Sequence, residues 1–521
     1  MVLAQWRQFT RPVAFAAFVT VAATAAGQDA QAAAAAPSPA ACAALNGQVI
    51  GAAAIEAAWQ PAGGAAPAYC KVAGRLSPKH RFELRLPATW NGKLHYTGNG
   101  GNGGRIPALN PAVLAQGYAS VADNTGHDGT DSSFALDDPT AVLNLALLAV
   151  PTVAISSKAI VQAYYGAEPR RTYFEGCSEG GREAITGALH YPMLFDGVIA
   201  GAPGISKIAT NAFVQHAMRA ILAPGARLPE TKLRLLDQAV LRQCDTVAAD
   251  GLVDGIVSNW EACRFDPASL RCPGGGDTGE TCLSDPQVKA IRTLIEPAVL
   301  ARGGLHHSGY PLMGSQGIAG QWDRWWFSPQ SVQLNTMNSN VRSYFAQDAQ
   351  ADALNWDMEA HASKVIALRD LFDVNDANLQ AFERAGGKMI IWTGAADPTT
   401  PVGNVARYYR QVTSTFGQDR ADRFARLYVM GGVGHCSGGS GADRPQNLLA
   451  ALDAWVTRGE APSSPIASKF DPATSALVLS RPLCPYPSYA RYVRGDPKSA
   501  ESFRCALNTA QAPTATQPGT P

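Results

Sequence analysis

Six apolar, β-rich runs recur along the chain, and each ends in a turn rich in glycine or polar residues. Lys93–Tyr96 leads into Gly98-Asn99-Gly100-Gly101, Tyr118–Ala122 into Asp123-Asn124-Thr125-Gly126, and Thr172–Phe174 into Gly176-Cys177-Ser178-Glu179-Gly180. Gly197–Ala200 leads into Gly201-Ala202-Pro203, Met389–Trp392 into Gly394-Ala395-Ala396-Asp397, and Leu427–Met430 into a loop that carries His435. Short apolar runs bounded by turn residues read as buried strands. Helical patterns lie between several of them: Arg182 to Leu189, and Leu448, Leu449, Leu452, Trp455 and Val456 with Pro445 at the helix start. Strands alternating with helices predict an α/β fold with a parallel sheet, whose sites lie at the carboxyl ends of its strands.

The N-terminus departs from this pattern. Arg7 and Arg11 precede an apolar run from Pro12 to Ala26, followed by small residues at Ala23-Thr24-Ala25 and Ala30-Gln31-Ala32. A basic start, a short apolar stretch and an Ala-x-Ala site describe a secretory signal peptide, and residues 1–36 read as signal and Ala-rich leader. The run is shorter than the roughly 20 residues a bilayer span needs. No later segment reads as a span, so a soluble protein in a secreted or periplasmic location is expected. Export exposes the ten cysteines to oxidation. Their order suggests local pairs, Cys42–Cys70, Cys244–Cys263, Cys272–Cys282 and Cys484–Cys505, and leaves Cys177 and Cys436 over. Sequence does not fix connectivity, and free buried thiols are the competing reading.

Net charge is +1 with 16% charged residues and no basic stripe, which argues against nucleic acid as a partner. With 50 glycines and 35 prolines the chain reads as a loop-rich enzyme; its oligomeric state is not legible.

Ser178 lies in a G-x-S-x-G segment with a strand before it and a helical run after it, the context of a nucleophile elbow. Asp397 and His435 follow at strand ends in the order Ser, Asp, His. His435 suits a general base for Ser178, and Asp397 suits the acid that holds the imidazole tautomer. The amide after the nucleophile, that of Glu179, and one from the turn near Gly101 are the candidate oxyanion donors. Gly98-x-Gly100-x-x-Gly103 also matches a dinucleotide fingerprint, with Asp123 as its acidic residue. Pro107 and Pro111 weaken the helix that fingerprint requires, and it leaves Ser178 and His435 unexplained.

Gly176-Cys177-Ser178-Glu179-Gly180-Gly181-Arg182-Glu183, Gly201-Ala202-Pro203-Gly204 and Gly434-His435-Cys436 together resemble the tannase and feruloyl esterase family, which includes the mono(2-hydroxyethyl) terephthalate hydrolases. The resemblance covers about Cys42 to Cys505. It implies an α/β-hydrolase core (37–204 and 376–521) interrupted by a large lid (205–375), a Cys177–Cys436 bond, and small aromatic esters as substrates. The lid holds Trp260, Trp322, Trp325, Trp326 and Phe327, which would be core residues or, in part, a platform for a planar acyl group. Terephthalate monoester hydrolases hold the free carboxylate with a lid arginine. The matching stretch here, Asn335 to Asn340, has none, and Arg342 matches another position, which tilts the reading toward a feruloyl- or galloyl-type ester. A non-catalytic binding protein of the same fold is the alternative from another class.

Asp245, Asp250 and Asp254 fall within ten residues amid glycines, a set that suits a hard cation such as Ca²⁺ as well as a solvated turn closed by Cys244–Cys263. The resemblance implies a structural calcium ion held by those three carboxylates and the carbonyls of Leu252 and Ile256.

Overall fold

Ten strands build one twisted sheet in this computed structural model, which describes residues 36–508. The signal-peptide reading falls outside the described residues, apart from position 36. In chain order the strands are β1 (Val49–Ile50), β2 (Ala53–Gln60), β3 (Tyr69–Arg75), β4 (Arg81–Pro87), β5 (Lys93–Thr97), β6 (Ala119–Asp123), β7 (Arg171–Cys177), β8 (Gly197–Gly201), β9 (Lys388–Gly394) and β10 (Ala425–Met430). They lie side by side as β1-β2-β3-β4-β6-β5-β7-β8-β9-β10. From β6 to β10 all neighbours are parallel; β1 to β4 and the β4–β6 seam are antiparallel.

The sheet is therefore mixed, which corrects the all-parallel expectation. All six predicted runs are strands of its parallel part. In β8 every residue is buried, and in β9 all but Lys388, because helices cover both faces and a strand there cannot alternate with water. Successive residues feed opposite cores. Phe174, Val198, Ile391 and Leu427 enter one cluster, and Tyr173, Ile199, Ile390 and Tyr428 enter the other.

Five helices frame the core and the strand ends: α1 (Ala149–Tyr165), α2 (Glu179–His190), α3 (Lys207–Ile221), α4 (Val402–Phe416) and α5 (Leu448–Arg458). Pro445 does not start α5, as the sequence suggested; it pairs in a short strand with Ala467, and Asn447 precedes the helix. A continuous helical stretch, Pro139–Tyr165, is long and apolar enough to cross a membrane by length and composition, contrary to expectation, with mean hydropathy 1.7. Of its most apolar window 61% is buried inside the protein, where α1 gives Val153, Ala154, Ile160 and Val161 to the core, so it is a core helix.

Between β8 and β9 the chain makes a largely helical excursion whose two ends meet. Val374 N donates to Ile205 O at 2.7 Å, and the Asp373 carboxylate accepts from Ile208 N and Ala209 N at 2.7 and 3.2 Å. Trp322, Trp326 and Phe327 are buried within this insertion.

Candidate active site

β7 carries the chain straight into Ser178, whose backbone is forced to φ 65° and ψ −118° before α2 begins at Glu179. A non-glycine residue held there costs about 1–3 kcal/mol, which the surrounding packing must offset. The glycines on either side are obligatory on steric grounds. A Cβ at Gly176 would lie 2.6 Å from the Gly180 carbonyl carbon, and one at Gly180 would lie 2.7 Å from Asn99 O. The sharp turn thus presses the start of α2 against both β7 and the turn after β5, with Gly180 N donating to Asn99 O at 2.7 Å.

Three strand ends meet at one point. His435 Nε2 stands 2.9 Å from Ser178 Oγ, and His435 Nδ1 stands 2.8 Å from Asp397 Oδ2. Asp397 is fully buried and over-determined: its Oδ1 accepts from Thr399 N and Thr400 N, both at 2.8 Å, and its Oδ2 from the Thr400 hydroxyl at 2.5 Å. With both Asp397 oxygens placed as acceptors, the contact to His435 has Nδ1–H as its donor, which leaves Nε2 to accept from the serine. Thr400 escaped the sequence reading. The only signal for it was a hydroxyl within one turn of an aspartate ahead of a helix. The insertion grips this acid loop from outside. Tyr310 Oη donates to Thr399 O, Trp326 Nε1 to Pro398 O and Gln333 Nε2 to Thr399 Oγ1, at 2.9, 2.9 and 3.0 Å. Of the lid aromatics, Trp325 is the one set against the histidine, edge-on with ring centres 5.6 Å apart.

Cys177 and Cys436 are bonded, with Cα atoms 6.0 Å apart across a sequence separation of 259. The other four pairs are those suggested by cysteine order, so all ten cysteines are used.

Glu179 directly follows Ser178, and Gly101 lies two residues after Asn99, whose carbonyl accepts from Gly180 N. Glu179 N–H is at the first position of α2, where no intrahelical acceptor exists. Gly101 sits at φ 64°, and among the described residues its amide makes no backbone bond. The Glu179 side chain, for which sequence suggested no role, is buried and gripped by two cations. Arg182 reaches its Oε1 from Nε and Nη2 at 2.8 and 2.6 Å, and Lys207 reaches its Oε2 at 3.0 Å. Burial alone would raise its pKa, but Arg182 and Lys207 hold it below the usual carboxylate range. Its neighbour Glu183 is raised instead, by burial and by the charge of Glu179, while its Oε2 accepts from Asn99 N at 2.9 Å. The dinucleotide reading fails here. Gly103 opens no helix, since between β5 and β6 the helix is the five-residue Pro111–Ala115, and Asp123 is occupied by Tyr96, His80 and Thr125.

Asp245, Asp250 and Asp254 lie in the segment after the helix Glu230–Cys244, and that segment meets the chain beyond His435 where Ser440 Oγ donates to Gly255 O at 2.9 Å. Among the described residues no three histidine, cysteine or acidic side chains converge tightly enough to hold a metal. Asp245 Oδ2 accepts from Gly255 N at 2.7 Å, Asp250 Oδ2 from Ser258 N at 3.1 Å, and Asp254 pairs with Arg481. Both Asp245 and Asp250 are buried, which raises their pKa, that of Asp250 to about 6, with a further push on Asp250 from the charge of Asp245. Carboxylates and carbonyls are the hard oxygen donors a calcium ion takes, so the donor type suits that ion although the three side chains are not gathered around one point.

A family model described as "Tannase and feruloyl esterase" matches residues 64–506. A mono(2-hydroxyethyl) terephthalate hydrolase of Piscinibacter sakaiensis is 32% identical, with 90% of this chain and 92% of that protein covered. A probable feruloyl esterase B-1 of Aspergillus fumigatus is 30% identical over 82% of this chain and 83% of its own. The crystal structure of feruloyl esterase B from Aspergillus oryzae superposes with a TM-score of 0.80 at 24% identity, covering 90% of this chain and all of that one, a likeness of fold. With the family's motifs, its α/β-hydrolase fold and its length all present, the chain belongs to the tannase and feruloyl esterase family and is a carboxylic ester hydrolase.

Proposed function

We propose that this protein is a secreted serine esterase that cleaves esters of aromatic carboxylic acids through an acyl-enzyme. Ser178 Oγ attacks the ester carbonyl carbon while His435 Nε2 takes its proton, and Asp397 stabilises the imidazolium so formed. The oxyanion that develops is received by the amides of Glu179 and Gly101. Collapse breaks the carbon–oxygen bond, and His435 returns the proton to the leaving alkoxide. Water, deprotonated by the same imidazole, then releases the acid. The observation that carries this reading is the unbroken hydrogen-bonded series Ser178–His435–Asp397 at 2.9 and 2.8 Å. It equally disfavours a non-catalytic binding protein, which has no need of a strained serine on a histidine. The leader and five disulfides support export.

An aromatic acyl group is supported by Trp325 beside His435 and by the names its relatives carry. Arg342 donates to Ala351 O inside the insertion at 3.0 Å, and the stretch Asn335 to Asn340 supplies no cation, which favours an uncharged ring as in ferulate or gallate esters. A second reading rests on Arg324, whose guanidinium lies 5.9 Å from the Trp325 ring centre and would suit a terephthalate monoester. Rates on methyl ferulate, methyl gallate and mono(2-hydroxyethyl) terephthalate decide between them. We expect the ferulate ester to give the highest kcat/KM; a preference for the terephthalate monoester transfers the role to Arg324, and failure on all three rejects the aryl-ester reading.

We also propose that Asp245, Asp250 and Asp254, with the carbonyls of Leu252 and Ile256, hold a calcium ion that stabilises the insertion. Bound there, it would supply positive charge to the two buried carboxylates and take no part in the reaction. At a hundredfold excess over its Kd, calcium should stabilise the folded protein by about 2.7 kcal/mol. Scanning calorimetry with and without chelator reads this, and Asp250→Asn should erase the difference. An identical melting curve in both conditions rejects the site.

A further inference from the structure

Lys207 occupies an unexpected place. It is the first residue of α3, where the positive end of the helix dipole disfavours a cation, yet its side chain is only 10% exposed. Its ammonium donates to Gly101 O and to Glu179 Oε2, both at 3.0 Å, and faces the Phe372 ring at 5.9 Å. The two residues it joins are the two proposed as oxyanion donors. One belongs to the turn after β5 and the other to the start of α2, so the ammonium adds a third tie between segments already joined by Gly180 N to Asn99 O and by Asn99 N to Glu183.

The tie has a mechanical reason. Gly101 has nothing within 4 Å of where a Cβ would stand, and its φ of 64° lies in a turn closed by Gly103 N donating to Gly100 O at 3.0 Å. Asn99, two residues earlier, is held through its amide by Glu183 of α2. Glu179 is locked by Arg182, whose Nη1 and Nη2 also donate to Ala146 O and Leu145 O at 3.0 and 2.6 Å. The α2 half is therefore rigid without Lys207. The Gly101 turn is anchored on either side, at Asn99 and at Gly104, and among the described residues Lys207 is the side chain that bonds Gly101 itself.

We propose that Lys207 is a positioning residue for the oxyanion hole, fixing the Gly101 turn at the distance from α2 at which both amides reach one oxygen. This rests on the serine-esterase reading. A simpler role is open to the same lysine, neutralising buried Glu179, and that role predicts lost stability without a kinetic signature.

The test is Lys207→Met, read on an aryl ester. Losing one oxyanion donor outright costs about 10²–10³ in kcat in other hydrolases, so a loosened one should cost about 10- to 100-fold. KM should stay within about twofold, because the acyl ring does not use this amide. Affinity for an aryl trifluoromethyl ketone, whose serine adduct carries the oxyanion, should fall by the same factor as kcat, while affinity for the product acid is unchanged. Lys207→Arg, which keeps a cationic donor, should recover most of the loss. If Lys207→Met fails to fold, Lys207→Gln is read in the same way. A variant of lowered melting temperature with wild-type kcat and ketone affinity overturns the proposal and leaves a counter-ion. Failure of the wild-type protein to be labelled at Ser178 by a fluorophosphonate would instead strike the esterase reading itself.

Discussion

Ser178→Ala should fold as the parent does and lose about six orders of magnitude in kcat, the size seen when the nucleophile of a triad hydrolase is removed. The fold should not notice the change, because Oγ bonds only to His435 among the described residues, while the backbone bonds of Ser178 to Gly201 O, Arg182 N and Gly204 N remain. Asp397→Asn should cost about 10⁴, through the wrong imidazole tautomer rather than through lost geometry. An asparagine can turn its amide nitrogen toward only one partner at a time. Here the Thr399 and Thr400 amides demand an acceptor at Oδ1, so the amide NH₂ is driven to the Oδ2 side, facing Nδ1. His435 would then carry its proton on Nε2 and could not accept from the serine. Single-turnover rates on an aryl ester, with circular dichroism as the check on folding, measure both. Turnover by folded Ser178→Ala at more than about a thousandth of the parent rate would remove Ser178 from the reaction.

Much of this site was legible because its parts sit where strands end. Buried parallel strands write themselves as unbroken apolar runs, so β5 to β10 stood out, and with them Ser178, Asp397 and His435 in order. The antiparallel half did not. In β2 and β3 several positions face outward, and Ala, Gly and Glu dilute the alternation, as in the Ala-rich run Ala53–Gln60. Cysteine order suggested four pairs because they are short-range, while the fifth, Cys177–Cys436, spans 259 positions and was implied only by the family resemblance. The second layer was invisible. Nothing in Gly-Cys-Ser-Glu-Gly says that the glutamate will be gripped by a lysine 28 residues on, or that Thr400 will buttress the acid. Such contacts are made by tertiary packing between elements, and local pattern carries no trace of them.

The bridge between Cys177 and Cys436 should matter to activity as well as to folding. Closing a loop of 259 residues in the unfolded chain is worth about 5.6 kcal/mol in the chain-entropy account, and a second consequence is local. Each cysteine is the covalent neighbour of a triad residue, and Ser178 and Cys436 both hold positive φ, at 65° and 60°. Without the bond, the His435 loop would be held to the serine turn by one hydrogen bond and by Trp325 at its edge. A displacement of about 1 Å between reacting groups can cost a hundredfold in rate. The double variant Cys177→Ala/Cys436→Ala should therefore lose about 100-fold or more in kcat while the sheet stays folded. In the parent protein, where both cysteines are partly exposed and Cys42–Cys70 is fully buried, a graded reductant should abolish turnover before tryptophan emission reports unfolding. Alkylation and mass spectrometry would identify which pair has opened at each step, separating this bond from Cys484–Cys505, whose Cys505 is exposed. Full activity with Cys177 and Cys436 both alkylated would mean that packing alone holds the triad, and the Asp397 clamp from Tyr310, Trp326 and Gln333 would then be the device that keeps serine and histidine in register.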